Sequence, residues 1–139
     1  MKKYVLIAIL AVIAWQVVQR GQTPSAPSAT ATTHATASAS PRSGSQFESE
    51  GTVVKVLADD TQGSRHQRFI VRLPSGQTVL IAHNIDIAPR VAGLSEGDPI
   101  SFSGDYEAND KGGVVHWTHR DPSGRHVAGW IKHRGRTYQ

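Results

Sequence analysis

From residue 47 to the end, short runs rich in valine and isoleucine are cut by clusters of Asp, Gly, Pro and Ser. That rhythm constrains the fold more than any other feature. Runs of about four to eight apolar or alternating residues, bounded by turn formers, build strands rather than helices. Residues 51–58 (GTVVKVLA) predict a first strand, closed by Asp59-Asp60 and Gln62-Gly63-Ser64. Residues 67–73 alternate, with Phe69, Val71 and Leu73 on one face and Arg68 and Arg72 on the other. Pro74-Ser75-Gly76 turns the chain, and residues 77–83 return as a third strand. Residues 84–94 lack strand alternation, contain Pro89 and leave room for one short helix. Glu96-Gly97-Asp98 leads into a fourth strand at 99–106, where Ile100, Phe102 and Tyr106 point one way. Asn109 to Gly113 is a further turn before a fifth strand at 114–119. Asp121-Pro122-Ser123-Gly124 then turns the chain toward a last short strand at 127–132.

Five strands with a longer connection between the third and fourth have the order of an OB-fold, a small Greek-key barrel. The expected fold class is all-β: a five-stranded OB-fold-like barrel at 47–139, preceded by an N-terminal apolar helix and a disordered linker. Other small barrels and sandwiches share these signals.

Residues 21–46 are almost wholly Ser, Thr, Ala, Pro and Gly. Such a stretch has too few apolar side chains to offset chain entropy, so it reads as a disordered tether with a reach of roughly 25–30 Å. Residues 1–20 place Lys2 and Lys3 before an apolar run, 4–18, interrupted only by Gln16. The run is shorter than the roughly 20 residues of a spanning helix, which fits a signal peptide. Bulky residues at 16–20, where a small-residue cleavage site would stand, fit an uncleaved anchor instead. The first reading gives a domain secreted after cleavage. The second gives a single-pass inner-membrane protein with its domain in the periplasm or an equivalent extracytoplasmic space. The absence of cysteine removes disulfides, thiolate ligands, a cysteine nucleophile and lipoprotein attachment.

The formal net charge is +4, and its distribution matters more than its sum. Residues 116–139 carry Arg120, Arg125, Lys132, Arg134 and Arg136 against Asp121 alone. A basic end favours a polyanion, a cell-wall glycan bearing anionic groups or a membrane surface, and equally fits a solvated tail. An extracytoplasmic address makes cytosolic DNA a poor target.

Residues 114–133 hold four of the seven histidines and two of the three tryptophans. Imidazole binds metal, moves protons near neutral pH or anchors buried hydrogen bonds. Zinc needs three or four ligands from His, Asp or Glu. His119 and Asp121, two apart, share a strand face, whereas His116 and His119 do not. The candidate metal set is therefore His119 and Asp121, with His126, His66 and His83 as further ligands. The alternative is a hydrogen-bonded cap built by His119, Asp121 and Trp117. A hydroxyl nucleophile such as Ser123 or Thr118, activated by His119, has no GxSxG elbow to support it. For a binding module, Trp117 and Trp130 with Arg120, Arg125 and Lys132 are the candidate ligand residues, rings stacking while cations follow an anionic backbone.

The segments DDTQGSRHQRFIV, AHNIDIAPR, KGGVVHWTHRDPSGRH and GWIKHRG, in that order, resemble an uncharacterised bacterial family catalogued as a domain of unknown function. The resemblance covers residues 50–139 and implies a short exported or membrane-anchored protein. In that family a second histidine stands at the position of Arg120, which implies that position 120 is no indispensable metal ligand here. A fainter similarity, through NIDIAP, is to the thermonuclease barrel. Aligned on Asp86, its arginine position holds Ile81, its proline falls late at Pro89, and Arg90 replaces the glutamate. This supports a barrel and not that enzyme. The expected function is ligand binding through the His/Trp/Arg-rich final third. The alternative is a metal-dependent, phosphodiesterase-like hydrolase using His119, Asp121 and further histidines, and a third reading is an assembly partner.

Overall fold

The computed structural model describes residues 40–139. The expected anchor or signal, the N-terminal helix and most of the expected linker lie outside the described residues. The strands are β1 (Ser45–Val56), β2 (His66–Arg72), β3 (Thr78–Asn84), β4 (Pro99–Glu107), β5 (Val114–His116), β6 (Trp130–His133) and β7 (Arg136–Tyr138). Five of them close into a barrel in the order β1-β2-β3-β5-β4, with β4 returning to β1. Within it only β3 and β5 run parallel. The β6–β7 hairpin joins β4 beside β5, through Ser101–Ser103.

Closure depends on β1 serving two neighbours. Ser45 to Thr52 pair with β4, and Thr52 to Val56 pair with β2 across a register shift between Val53 and Lys55. Gly51 stands at the changeover. A Cβ there would overlap the carbonyl oxygen of Arg72 and lie 2.6 Å from Val71 Cγ1. Glycine alone permits so close a backbone approach.

The alternation read from the sequence sends Phe69, Val71 and Leu73 of β2 and its following turn and Ile100, Phe102 and Tyr106 of β4 into the core, where Val53, Val79, Ile81, Val115 and Ile131 join them. Phe47 closes the packing edge-on against Phe102 and Tyr106, each at 5.8 Å between centroids. Most strand limits fall within two residues of expectation, and the larger differences are four. β1 begins at Ser45 rather than Gly51, β5 stops at His116 rather than His119, β6 begins at Trp130, and β7 was not expected.

No helix forms at 84–94. Ala88 N–H donates to Asn84 O at 3.1 Å, but the next residue, Pro89, has no N–H to continue the pattern. The connection is instead pinned by a buried amide. Gln67 Nε2 donates to Val91 O at 3.2 Å, and Val91 N–H donates to Gln67 Oε1 at 2.9 Å. Further on, Asp98 gathers Ser95 N–H at 2.9 Å, the buried His133 Nε2–H at 2.9 Å and Arg134 Nη2 at 3.2 Å. The His133 bond, more than any other, holds the Asp98 carboxyl below the usual carboxylate range.

Candidate functional site

The His/Trp-rich segment divides into a buried part and a surface part. β5 ends because Trp117 takes φ 54°, a left-handed conformation costly for a bulky side chain. The next two side chains then turn inward. Thr118 hydroxyl donates to His83 Nδ1 at 2.9 Å, while His83 Nε2–H donates to Pro89 O at 3.0 Å. Because Pro89 O can only accept, the imidazole must carry its proton on Nε2 and accept on Nδ1. Burial lowers the His83 pKa from 6.5, and the neighbouring His119 adds to that. His119, also buried, donates from Nδ1 to Arg120 O at 2.8 Å. The His83 imidazole ties two connections to the barrel, while that of His119 fixes the backbone of its own turn.

Asp121 is committed elsewhere. Its carboxylate accepts from Ser123 Oγ at 2.7 Å, Ser123 N–H at 2.8 Å, Arg125 N–H at 2.7 Å and His126 N–H at 3.0 Å. These bonds, the Ser123 hydroxyl first, hold it well below the usual carboxylate range. His126 lies flat on Trp117, 3.8 Å between centroids and 14° between planes, with Nδ1 3.3 Å from Asp105 Oδ2. His66 donates from Nδ1 to Ser64 O at 2.8 Å.

The expected metal set is therefore not assembled. His119 turns inward while Asp121 stabilises its own turn, so the two-residue spacing brings no shared face once Trp117 has broken the strand. Among the described residues no three of His, Asp and Glu are grouped to hold an ion. His83 has both ring nitrogens engaged, and His126 and His66 face different neighbours.

Of the candidate ligand residues, Trp130 and Lys132 lie on the outward face of β6, while Trp117, Arg120 and Arg125 lie in the connection between β5 and β6. Trp130 stands opposite Ser103, with Lys132 Nζ 4.2 Å above its ring. Trp117 is covered on one face by His126 and approached by His119 at 5.4 Å. Arg120 and Arg125 are exposed, and Arg125 Nε donates to Ser123 Oγ at 2.9 Å. Trp130 and Lys132 make a short strip on the outside of β6, and one ring face of each tryptophan is already occupied, by Lys132 and by His126.

Concave surface occurs on the outward face of β2, β3 and β5. There Ile70 stands opposite Leu80, Arg68 opposite Ala82 and Leu80 opposite Val114. One hollow of about 280 Å³ has Leu57, Ile70 and Leu80 with Thr78, Asn109 and Lys111 around it. The next, about 240 Å³, is lined by His66, Arg68, Ala82, Val114 and His116, with Asp60 and Glu107. Arg68 and Ile70 on β2, like Leu80 and Ala82 on β3, are same-face neighbours, so the two hollows lie side by side along the sheet and are treated as one groove. Of the expected residues only His66 lines it. Its floor was legible: in FIV and TVLIA, Ile70 and Leu80 occupy outward positions between inward Phe69, Val71, Val79 and Ile81, making strands apolar on both faces.

Fold and surface together define a class: a closed five-stranded β-barrel with an added hairpin and a shallow groove on its outer wall. The chain belongs to the family described as a protein of unknown function (DUF3465), whose model matches residues 17–139. Comparison with curated proteins finds no match. Comparison with solved structures finds no match either.

Proposed function

We propose that the domain is an OB-fold binding module that takes a glycan chain along the groove of β2, β3 and β5. The observation that carries this reading is the half-buried aliphatic floor of Leu57, Ile70, Leu80 and Val114 on the outside of a barrel whose core is already complete. Apolar surface set in a concave, polar-rimmed site marks ligand contact. OB-folds use this face, with the adjoining β1–β2 and β4–β5 loops, for oligosaccharides and oligonucleotides. No Phe, Tyr or Trp lines either hollow, which leaves no large ring platform for stacking bases. The rim mixes Arg68, Lys111, His66 and His116 with Asp60 and Glu107, so it offers donors and acceptors in balance. Hydroxyl-rich chains suit that mixture better than a polyanion does.

An anchor or export signal at residues 1–20 would carry this groove to cell-wall glycan. The hydrolase alternative needs His119 and Asp121 around one open position, and no observation favours it.

Titration of the full chain with soluble cell-wall oligosaccharides, followed by amide chemical shifts, tests the reading. Saturable shifts are expected at β2, β3 and β5. Leu80→Glu should weaken binding at least tenfold, because it removes an aliphatic side chain from the floor and sets a carboxylate in its place. Tm should change little, because Leu80 is only half-buried. Shifts confined to the Trp130 strip, or equal binding by Leu80→Glu, would rule the groove out.

A further inference from the structure

A separate cleft of about 670 Å³ opens between two hairpin tips, with Leu73 and Pro74 on one side and Arg134 and Gly135 on the other. Three cations line it, Arg72, Lys132 and Arg134, against one carboxylate, Glu50. They arrive from different elements. Arg72 ends β2 and is paired to Thr52 of β1, while Ser101 of β4 stands between Glu50 of β1 and Lys132 of β6. Barrel closure therefore gathers cations that lie sixty residues apart in the chain, Arg72 and Lys132.

The cations are poorly neutralised. Arg134 shares Asp98 at 3.2 Å yet keeps its side chain 62% exposed. Among the described residues, neither Arg72 nor Lys132 has a carboxylate within 4.0 Å. Arg134 also occupies φ 47° before Gly135 at φ 76°, a two-residue hairpin turn that ordinarily takes Asn, Asp or Gly. An arginine kept in that conformation points to a use for its side chain. Cations that outnumber the carboxylates of a cleft concentrate a positive field, and guanidinium groups offer the forked donors that match phosphate oxygens.

We propose that this cleft is a phosphate-binding site, formed by Arg72, Lys132 and Arg134. It shares no lining residue with the glycan groove and stands or falls independently of it.

The test is amide-shift titration of the full chain with inorganic phosphate and with linear polyphosphate, chloride being adjusted to hold ionic strength constant. Saturable shifts are expected at Gly51, Arg72, Ser101, Lys132 and Gly135. The double variant Arg72→Gln/Lys132→Gln should bind at least about tenfold more weakly. Arg42→Gln, beside the opposite end of β1, should bind as the parent does. Tighter binding of polyphosphate at the same residues would identify a phosphate carried on a chain, and equal binding would identify the free ion. Linear, non-saturating shifts, or a double variant that binds like the parent, would overturn the assignment.

Discussion

Alanine at position 51 is expected to lower the unfolding free energy by about 3 kcal/mol, toward the upper end of the usual cost of overpacking. For a domain of this size that corresponds to a fall in Tm of roughly 12–24 °C. The added methyl meets backbone, the Arg72 carbonyl, rather than the end of a flexible side chain. Relief requires β1 to move away from β2, which opens the Thr52–Arg72 pairing where the barrel closes. Gly76→Ala supplies the comparison. Nothing lies within 4 Å of its built Cβ, but φ is 87°, so its cost is conformational alone and should be about 1 kcal/mol. Thermal denaturation of the two variants separates collision from backbone strain. Equal, small shifts would show that β1 and β2 do not approach as described.

The second large effect is expected at His83. Its side chain is fully buried and bridges Thr118 to Pro89, so His83→Ala leaves a cavity and strands both partners. Cavity formation and broken hydrogen bonds together predict about 3–5 kcal/mol of destabilisation. Against a total near 5–10 kcal/mol, that brings the fold close to its limit. Acid should act through the same residue. The folded state holds the His83 pKa below 6.5, so the unfolded chain takes up this proton first as pH falls. The stabilisation from neutral His83 is therefore full above 6.5 and is lost as pH falls from there through the lowered folded value, by at most about 1.4 kcal/mol per pH unit. Asp86, Asp98 and Asp121 have lowered values, so their contributions hold above 3.8 and fade only below it. Urea denaturation from pH 8 to 3 should show two separate declines. In a still-folded His83→Gln variant the first should be much reduced. An unchanged first decline would move the proton to another histidine.

The barrel was largely legible because its signals are local. Alternation in residues 67–73 and 99–106 selects the inward side chains, and Asp, Gly and Pro clusters mark the turns. The fate of the expected His119–Asp121 pair was not legible, because one backbone torsion separated it. Same-face pairing of His119 with Asp121 assumes a continuous strand, and Trp117 at φ 54° ends that strand first. Nothing in VVHWTH advertises a tryptophan in a left-handed conformation. The importance of Asp98 and Gln67 was equally hidden, since each gains its partners only when distant segments meet. Short-range pattern also missed β7, three residues bounded by a turn that carries Arg134 where Asn would have signalled a hairpin.

The pairing of Ser45 with Tyr106 has a kinetic consequence. The hairpin of β2 and β3 needs only a short loop and can form early, but the first half of β1 has no partner until β4 is in place. Loop-closure entropy must be met before that long-range contact stabilises anything. Folding should accordingly be slow for so small a domain, on the order of milliseconds to seconds. During synthesis, Phe47 and the rest of the first half of the leading strand wait, uncovered, for the chain to reach Glu107.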